Sequence, residues 1–300
     1  MSLSIPPLEH FIKSATALIG KSNYSQALHI VDQGFTFYPR SPYLTELLVQ
    51  LPPDHVDYSP SRDQRARLAA VRYYEVLTRF LKTNPQSVIE FGSGQGSWIS
   101  QASHFFSVPK SYCLAIDGPW ASSWHDNSIP ILACDLNEAT MTNIVDTLPV
   151  CSSYDLAICV EVCEHLSQQA AKNLVSAITR NSKMAIFGSA LTGQFGQGHR
   201  NCRSHYYWRA LFQSSGFQLF DVFRPALQGS SQVPAWYIQN TYLYVDTSAL
   251  SQLFHESLRE YYHPHYCLDR PHPEVINMGM RYSLAKERSD IYQSLLWSVM

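Results

Sequence analysis

The chain has 300 residues, of which 45% are hydrophobic and 15% are charged, and its formal net charge is −2 at pH 7. This length suits one full α/β domain with an appendage, or two modest domains. With so small a charge there is no global basic field, which argues against nucleic acid as the default partner. No apolar run approaches the roughly 20 residues of a membrane span, so we expect no membrane partner.

The seven cysteines are scattered and form no Cys-x-x-Cys pair. The first residues lack the basic and apolar regions of a signal peptide. Both features indicate a reducing, cytoplasmic compartment, and the missing Cys-x-x-Cys pair argues against a zinc ribbon.

The first predicted segment is helical and covers residues 1–56. Ala27, Val31 and Gly34, followed by Pro39, resemble the second helix of a tetratricopeptide repeat and its closing proline, over about one repeat. Such repeats usually need about three copies to stand alone, so we expect this segment to pack on the main domain. Both a plain helical hairpin and a protein-binding segment remain open, and the terminal helices are candidates for a partner or homo-oligomer contact.

The main domain is predicted to be α/β and to cover residues 57–246. A linker at 51–55 and a helix at 62–83 precede strands at 87–91, 112–117, 129–135, 154–160 and 183–187, which alternate with helices. This alternation predicts parallel pairing through crossovers. Strands at 217–223 and 235–245 then follow with no helix between them. The sequence therefore predicts a Rossmann-like seven-stranded sheet with a terminal antiparallel hairpin, and a helical and loop extension at 247–300.

A glycine loop at residues 92–96 (GSGQG) follows the first strand and precedes a helix. A dinucleotide fingerprint would need its third glycine at position 97, which is Ser97, and Glu90 stands just before the loop. Asp117 ends the second strand, where a carboxylate can accept hydrogen bonds from both ribose hydroxyls. Asp135 ends the third strand, where a carboxylate can reach an adenine amino group.

These residues, with the stretch EVCEHL at 161–166, resemble the class I S-adenosylmethionine-dependent methyltransferases over about residues 87–245. The resemblance implies that the glycine loop lets the backbone approach the methionine part of S-adenosylmethionine. It also implies that Asp117 holds the ribose and that Asp135 and Leu136 frame the adenine. The candidate cofactor contacts are Glu90, Gly92, Ser93, Gly94, Gly96, Asp117, Gly118, Asp135, Leu136 and Glu161.

The Glu-x-x-Glu-His pattern after the fourth strand is a candidate metal site. At helical spacing, Glu161 can share a face with Glu164 or His165. Carboxylates with one imidazole suit Mg²⁺ or a similar divalent ion. The pattern is similar to that of the small-RNA 3′-terminal 2′-O-methyltransferases and the ubiquinone-pathway O-methyltransferases, which use a metal. His199 is the candidate fourth ligand. In the alternative interpretation no metal binds, the acid caps a helix and His165 packs near the cofactor.

The loop at 192–201 (TGQFGQGHRN) resembles a Gly-Gln-rich, Gly-His-Asn loop in bacterial and phage members of this fold whose acceptors are unknown. By this resemblance, His199 and Asn201 face the transferred methyl group. His199 is the first candidate for general base, because an unperturbed imidazole has a pKa near ~6.5. His165 is a second catalytic candidate and His205 is a weaker one. Alternatively, His199 is a solvated loop residue.

The predicted function is S-adenosylmethionine-dependent methyl transfer, with O-methylation of a small molecule or glycan as the first acceptor class. One alternative is a methyltransferase that acts on a protein or on RNA at the 2′-oxygen, with the N-terminal helices binding the partner. Another is a non-catalytic interaction protein that binds the cofactor.

Overall fold

The computed structural model describes residues 6–21, 26–27, 30–31, 33–34, 38, 41, 43–44, 47, 60–123, 125, 128–137, 153–194, 198–262, 271–273 and 275. These residues fall into two compact units. The larger unit takes its described residues from Asp63–Gly193 and His199–His272, and the smaller unit from Met1–Arg62, Gln194–Gly198 and Pro273–Met300. Every candidate site residue lies in the larger unit. The domain boundaries expected from the sequence stay a prediction.

The larger unit is built on one seven-stranded sheet with helices on its faces. Its strands are β1 (Val88–Phe91), β2 (Cys113–Asp117), β3 (Ile131–Ala133), β4 (Tyr154–Val160), β5 (Ser182–Gly188), β6 (Phe217–Phe220) and β7 (Thr241–Asp246). The α-helices with described bounds are α1 (Leu8–Ile19, in the smaller unit), α2 (Pro60–Thr78), α3 (Ser97–Phe105), α4 (Gln168–Asn181), α5 (His205–Ser214), α6 (Phe223–Leu227), α7 (Ala235–Asn240) and α8 (Leu250–Leu253).

The strand order is β3-β2-β1-β4-β5-β7-β6, with β1 to β5 parallel and β7 antiparallel to both of its neighbours. This arrangement confirms the predicted Rossmann-like fold class with its terminal antiparallel strands. The chain order reverses between β1 and β4. In open α/β sheets, ligands bind at such a point, outside the carboxyl ends of the strands.

Two hydrophobic cores cover the two faces of the sheet, and alternate residues of each strand feed them. In β7, Leu243 and Val245 join the core beneath α2 and α3, whereas Tyr242 and Tyr244 join the core beneath α4 and α5. This is the period of two that a strand buried on both faces requires. The sheet thereby holds the loops at its carboxyl edge in fixed positions.

The terminal strands differ from the expected hairpin in their connection. Residues 235–240, predicted as part of a strand, form helix α7, and α6 also lies between β6 and β7. The residues that follow β7 return to the sheet, because Leu253, Phe254 and Leu258 are buried in the α2–α3 core. Among the residues with described positions, no helix is long and apolar enough to cross a membrane.

In the smaller unit, α1 buries Phe11 and Ala15, and Phe11 packs with Val31, Leu44 and Leu47. Much of the predicted N-terminal segment, the linker at 51–55 and most of the predicted extension beyond residue 262 lie outside the described residues. The tetratricopeptide-like character of the segment stays a prediction.

Candidate functional site

The glycine loop and the acid of the second strand form one structural unit. Gly94 donates its backbone N–H to Asp117 Oδ2 at 2.6 Å, and Gly118 donates its own to Oδ1 at 2.6 Å. The backbone N–H of Gly92 also bonds the Ile116 carbonyl of β2, at 2.8 Å. The loop is therefore fixed to the carboxyl end of β2 at the edge where the chain order reverses.

Side chains of the protein itself explain two of the loop glycines. Gly92 has a φ of +71°, and a Cβ there would lie 2.3 Å from a methyl carbon of Val162. Gly96 has a φ of +75°, and a Cβ there would lie 2.7 Å from the His125 imidazole. Both the left-handed backbone and these close approaches require glycine. We expected the glycines to make room for a cofactor; at these two positions they first make room for Val162 and His125.

Glu90 is buried and serves the helix that follows the loop. Its Oε2 accepts the backbone N–H of Ile99 at 2.9 Å, in the first turn of α3. Gly96 is the N-cap of this helix and has no side chain to bond these amides, so Glu90 provides the missing acceptor. Burial raises the pKa of Glu90 well above its ordinary value, and nearby Asp117 raises it further. The structure thus gives Glu90 a capping role beneath the loop.

Asp117 is buried, and its neighbours have opposing effects on its pKa. Burial raises its pKa, and the negative charge of Asp135 adds to this increase. The N–H groups of Gly94 and Gly118 act in the opposite direction, and so does a hydrogen bond from the Trp120 side chain. The acid at the end of β2 and the acid after β3 therefore lie close enough for the charge of Asp135 to affect the pKa of Asp117.

The two residues expected at an adenine lie on the turn after β3. Asp135 is half-buried, and its Oδ1 accepts the backbone N–H of Asn137 at 2.9 Å. Leu136 is buried in the α4–α5 core. Across the edge, Ser93 is 6% exposed and its Oγ has no hydrogen-bond partner among the described residues. A buried hydroxyl that lacks such a partner is suited to form a hydrogen bond to a ligand.

Glu161 follows β4 directly and has a strained backbone. Its φ is +58°, a left-handed value that residues other than glycine rarely adopt. Its N–H bonds the Gly188 carbonyl at 2.9 Å, and its Oε1 accepts Asn240 Nδ2 at 2.8 Å. The side chain is therefore held by the last residue of α7. Strain of this kind concentrates at functional sites.

Three of the four predicted metal ligands come together. Glu164, His165 and His199 each offer a ligand atom, and these atoms all lie within 4.8 Å of one another. Glu164 is fully buried; its Oε2 accepts Ser189 Oγ at 3.1 Å, and its Oε1 has no hydrogen-bond partner among the described residues. Glu161 is not part of this cluster.

The predicted helical face is wrong, because residues 163–165 form a 3-10 turn and Glu161 precedes it in the left-handed conformation. An α-helical face cannot form across that change of backbone direction. The turn instead directs Glu164 and His165 toward the loop that follows β5.

That loop is clamped to the 3-10 turn. The backbone N–H groups of Arg200 and Asn201 both bond the Glu164 carbonyl, at 2.9 and 3.0 Å. Asn201 is buried and donates Nδ2 to the Cys163 carbonyl at 3.1 Å. It was expected to face the transferred methyl group, whereas the structure uses it to fix the loop. The clamp brings the ring of His199 to 4.9 Å from that of His165.

The His199 ring has a sulfur neighbour that the sequence did not single out. Cys202 Sγ lies 3.5 Å from His199 Nδ1. Burial, with Glu164 and Glu161 nearby, raises the pKa of Cys202 to about 12, so its thiol stays protonated at neutral pH. His205, the weaker catalytic candidate, is the buried first residue of α5, and its Nδ1 lies 3.1 Å from the Tyr242 hydroxyl. This packing indicates a structural role for His205.

Sequence reasoning also missed Trp120 and Asn240. Trp120 lies in a 3-10 turn after Asp117, and its side chain bonds the Asp117 carboxylate. Hydrophobic periodicity does not predict such a turn. Asn240 lies 79 positions beyond Glu161, and only the pairing of β7 beside β5 brings the two together. The local signal for Trp120 was Gly118, which stands immediately before Pro119 and Trp120. A glycine leaves room for a nearby side chain to pack against the backbone.

No family model and no curated protein matches this sequence. Similar solved structures include an O-methyltransferase family protein from Burkholderia thailandensis (8% identity, 82% of this chain and 74% of that chain, TM-score 0.46). Others are a SAM-dependent methyltransferase from Archaeoglobus fulgidus (12%, 63% and 94%, TM-score 0.42) and human N-acetylserotonin methyltransferase in complex with SAM (12%, 77% and 66%, TM-score 0.41). Identities this low and TM-scores below 0.5 bear on neither the activity nor the substrate of this chain.

Proposed function

We propose that this protein binds S-adenosylmethionine and transfers its methyl group. One observation carries the proposal: the glycine loop after β1 is bonded to Asp117 at the end of β2, and Asp135 after β3 lies near enough to affect that carboxylate. These groups share the edge at which the chain order reverses. The glycine loop lets a ligand approach the backbone closely, Asp117 can accept hydrogen bonds from ribose hydroxyls, and Asp135 adds a second acid. Together these groups suit a nucleoside that carries an amino-acid tail.

Ser93 and the acids support this reading over a general nucleotide site. The buried Ser93 hydroxyl can donate to the methionine carboxylate, and an acid stands at the end of each strand beside β1, Asp117 at the end of β2 and Glu161 directly after β4. Such a surrounding repels a pyrophosphate but suits a sulfonium cation and an ammonium group. S-adenosylmethionine carries both of these positive groups.

The first acceptor class we propose is a hydroxyl of a small molecule or glycan. An imidazole such as that of His165 or His199 can accept a proton from a hydroxyl, which is the step that makes its oxygen nucleophilic. The low overall charge supports a small acceptor over nucleic acid. A macromolecular acceptor, with the N-terminal helices as the binding segment, is the alternative. The protein is expected to work in the cytoplasm.

A divalent metal fits the cluster of Glu164, His165 and His199. The fully buried Oε1 of Glu164 needs a partner, and a cation beside it would supply one. Two imidazoles and one carboxylate suit Zn²⁺ or a similar transition metal better than Mg²⁺, which prefers oxygen ligands. When bound, the ion would supply Lewis acidity toward an acceptor oxygen, and His165 and His199 would then be its ligands in place of acting as bases. Glu161, held by Asn240, would remain outside its ligand set.

The experiment that tests the function uses the full-length protein and methyl-labelled S-adenosylmethionine. Fractions of a metabolite extract are added as acceptors, and release of S-adenosylhomocysteine and labelled product is measured. We expect product with at least one fraction, and none with Asp117→Ala. Calorimetry with S-adenosylhomocysteine is run beside it. If the folded wild-type protein binds neither S-adenosylmethionine nor S-adenosylhomocysteine, the proposed function is wrong; binding without product would favour the non-catalytic alternative.

A further inference from the structure

We propose that Trp120 is a specificity residue of the nucleoside site. Its indole N–H and the ribose of a nucleoside compete for Asp117, and the indole ring then packs against the base. The proposal rests on the proposed function, because it assigns a role within the same cofactor site. No motif in the sequence pointed to this residue.

The position of the indole is built into the chain. Trp120 lies in the turn Pro119–Ser123, which begins two residues after Asp117. The ring lies against Gly118 so closely that a Cβ on that glycine would be 2.0 Å from Trp120 Cζ2. Any other residue at position 118 would displace the ring. Gly118 thus permits the close approach of Trp120 and, through its N–H, also bonds Asp117 Oδ1 at 2.6 Å.

The number of acceptor positions on Asp117 creates the competition. A carboxylate offers about four lone-pair positions. Gly94 and Gly118 use one on each oxygen, and the Trp120 side chain takes a third. Two hydroxyls of a ribose need two positions. The two backbone bonds are fixed by the loop and by β2, so the bond from Trp120 is the one that must be given up.

Trp120 can move and still contribute. Its side chain is 53% exposed, whereas the Asp117 that it contacts is 8% exposed. An exposed side chain changes rotamer at little cost. Once its N–H is released, the large flat ring remains beside the ribose position, where an aromatic face can stack on a base. Stacking of this kind changes affinity by roughly tenfold or more per base.

The test compares the affinity of full-length variants for S-adenosylhomocysteine by calorimetry. Trp120→Phe keeps a ring and loses the N–H, so we expect binding about fivefold tighter than wild type, since the competing hydrogen bond is gone. Trp120→Ala loses the ring as well, and we expect binding about tenfold weaker than that of Trp120→Phe. Tyr112→Phe, at an aromatic residue that is 48% exposed just before β2, is the matched control and should bind like wild type.

Fluorine NMR of protein labelled with 5-fluorotryptophan gives a second readout. The chain has six tryptophans, and the signal missing in Trp120→Phe identifies Trp120. We expect this signal to shift during titration with S-adenosylhomocysteine and to reach half its change at the calorimetric Kd. The Asp117→Ala variant should already show the shifted signal before titration, because its indole has lost its acceptor.

The outcomes separate the two proposals. If wild type binds S-adenosylhomocysteine but Trp120→Phe binds equally or more weakly, the role of Trp120 is wrong and the proposed function stands. Equal affinities of Trp120→Phe and Trp120→Ala would likewise overturn the packing against the base. If wild type binds neither S-adenosylhomocysteine nor adenosine, both proposals fail together.

Discussion

The backbone N–H of Gly94 donates to the Asp117 carboxylate at 2.6 Å, across the 23 residues that separate the glycine loop from the end of β2. This bond joins two elements that the sequence could only place at the same edge of a sheet. It also means that Asp117 stabilises the loop as well as offering an acceptor to a ribose. The consequences of changing Asp117 must therefore be measured on stability and binding separately.

Replacing Asp117 by alanine is expected to weaken binding of S-adenosylhomocysteine by about 100-fold or more. Hydrogen bonds to a charged group contribute about 1.5–3 kcal/mol each, and a ribose would make two. Calorimetry measures the binding, and thermal unfolding measures the loss of the loop contacts. The matched control is Asp155→Ala near the start of β4, at the opposite edge of the sheet, where Asp155 bonds Gln86 N and Lys183 Nζ, each at 2.8 Å. The control should lose stability and keep its binding; equal binding by both variants would contradict the ribose assignment.

Glu90 is expected to make stability depend on pH. Burial raises its pKa in the folded protein above the unfolded value of about 4.3. Its contribution is therefore fully present below that unfolded pKa and is lost as the pH rises through the folded pKa. Urea unfolding at a series of pH values should show the wild type losing stability with rising pH in this range. Glu90→Gln should flatten that dependence, because an amide oxygen can still accept the Ile99 N–H without becoming charged.

A companion variant separates charge from capping at the same position. Glu90→Ala leaves the buried Ile99 N–H without its acceptor, so we expect it to be about 1 kcal/mol less stable than Glu90→Gln. Equal stability of the two variants at all pH values would show that the cap contributes nothing. An unchanged pH dependence in Glu90→Gln would instead show that the dependence arises elsewhere, for example at Asp117, whose pKa is also raised.

The strain at Glu161 can be measured by comparing two substitutions. Glu161→Ala and Glu161→Gly both remove the bond to Asn240, so the difference between them reports the left-handed backbone. We expect the glycine variant to be about 1 kcal/mol more stable. Ser107, with a φ of +59° in the turn after α3, provides a matched pair in Ser107→Ala and Ser107→Gly. Both pairs should show a similar difference in unfolding free energy, but only the Glu161 variants should lose turnover.

Metal binding should depend on Glu164, His165 and His199 and not on Glu161. Co²⁺ absorption spectroscopy and metal analysis after dialysis measure occupancy without needing an acceptor. We expect Zn²⁺ or Co²⁺ to bind in preference to Mg²⁺, and we expect Glu164→Gln, His165→Ala and His199→Ala to weaken binding strongly. The controls are Glu161→Gln and the exposed His104→Ala in α3, which should bind like wild type. Preference for Mg²⁺, or an equal loss in Glu161→Gln, would contradict this ligand set.

His199 is expected to act on turnover more than on the cofactor. In protein freed of metal by a chelator, His199 as a general base would contribute about 10²–10⁴-fold to the rate, so His199→Ala should lower kcat by that amount while affinity for S-adenosylhomocysteine stays near that of wild type. Cys202→Ala should cause a smaller loss, since the thiol contacts His199 Nδ1 and only positions the ring. A His199→Ala defect confined to cofactor affinity would contradict the general-base role.

Local sequence determined much of this protein. The alternation of predicted strands with helices was sufficient to predict the parallel sheet. The glycine loop and the acids at the ends of β2 and β3 were sufficient to predict their common edge, because parallel strands end on the same side. These features depend on residues close together in the chain, where periodicity and turn chemistry act.

Tertiary structure decided which of the candidate side chains meet. The left-handed backbone at Glu161 turned this acid away from the helical face that its spacing suggested and toward Asn240. The clamp of Asn201 on Cys163 brought His199 to His165, and the bend after Gly118 brought Trp120 onto Asp117. Each contact depends on a loop conformation or on a strand pairing between distant residues. The free energy of such contacts comes from packing and hydrogen bonds across the fold, which no short stretch of sequence contains.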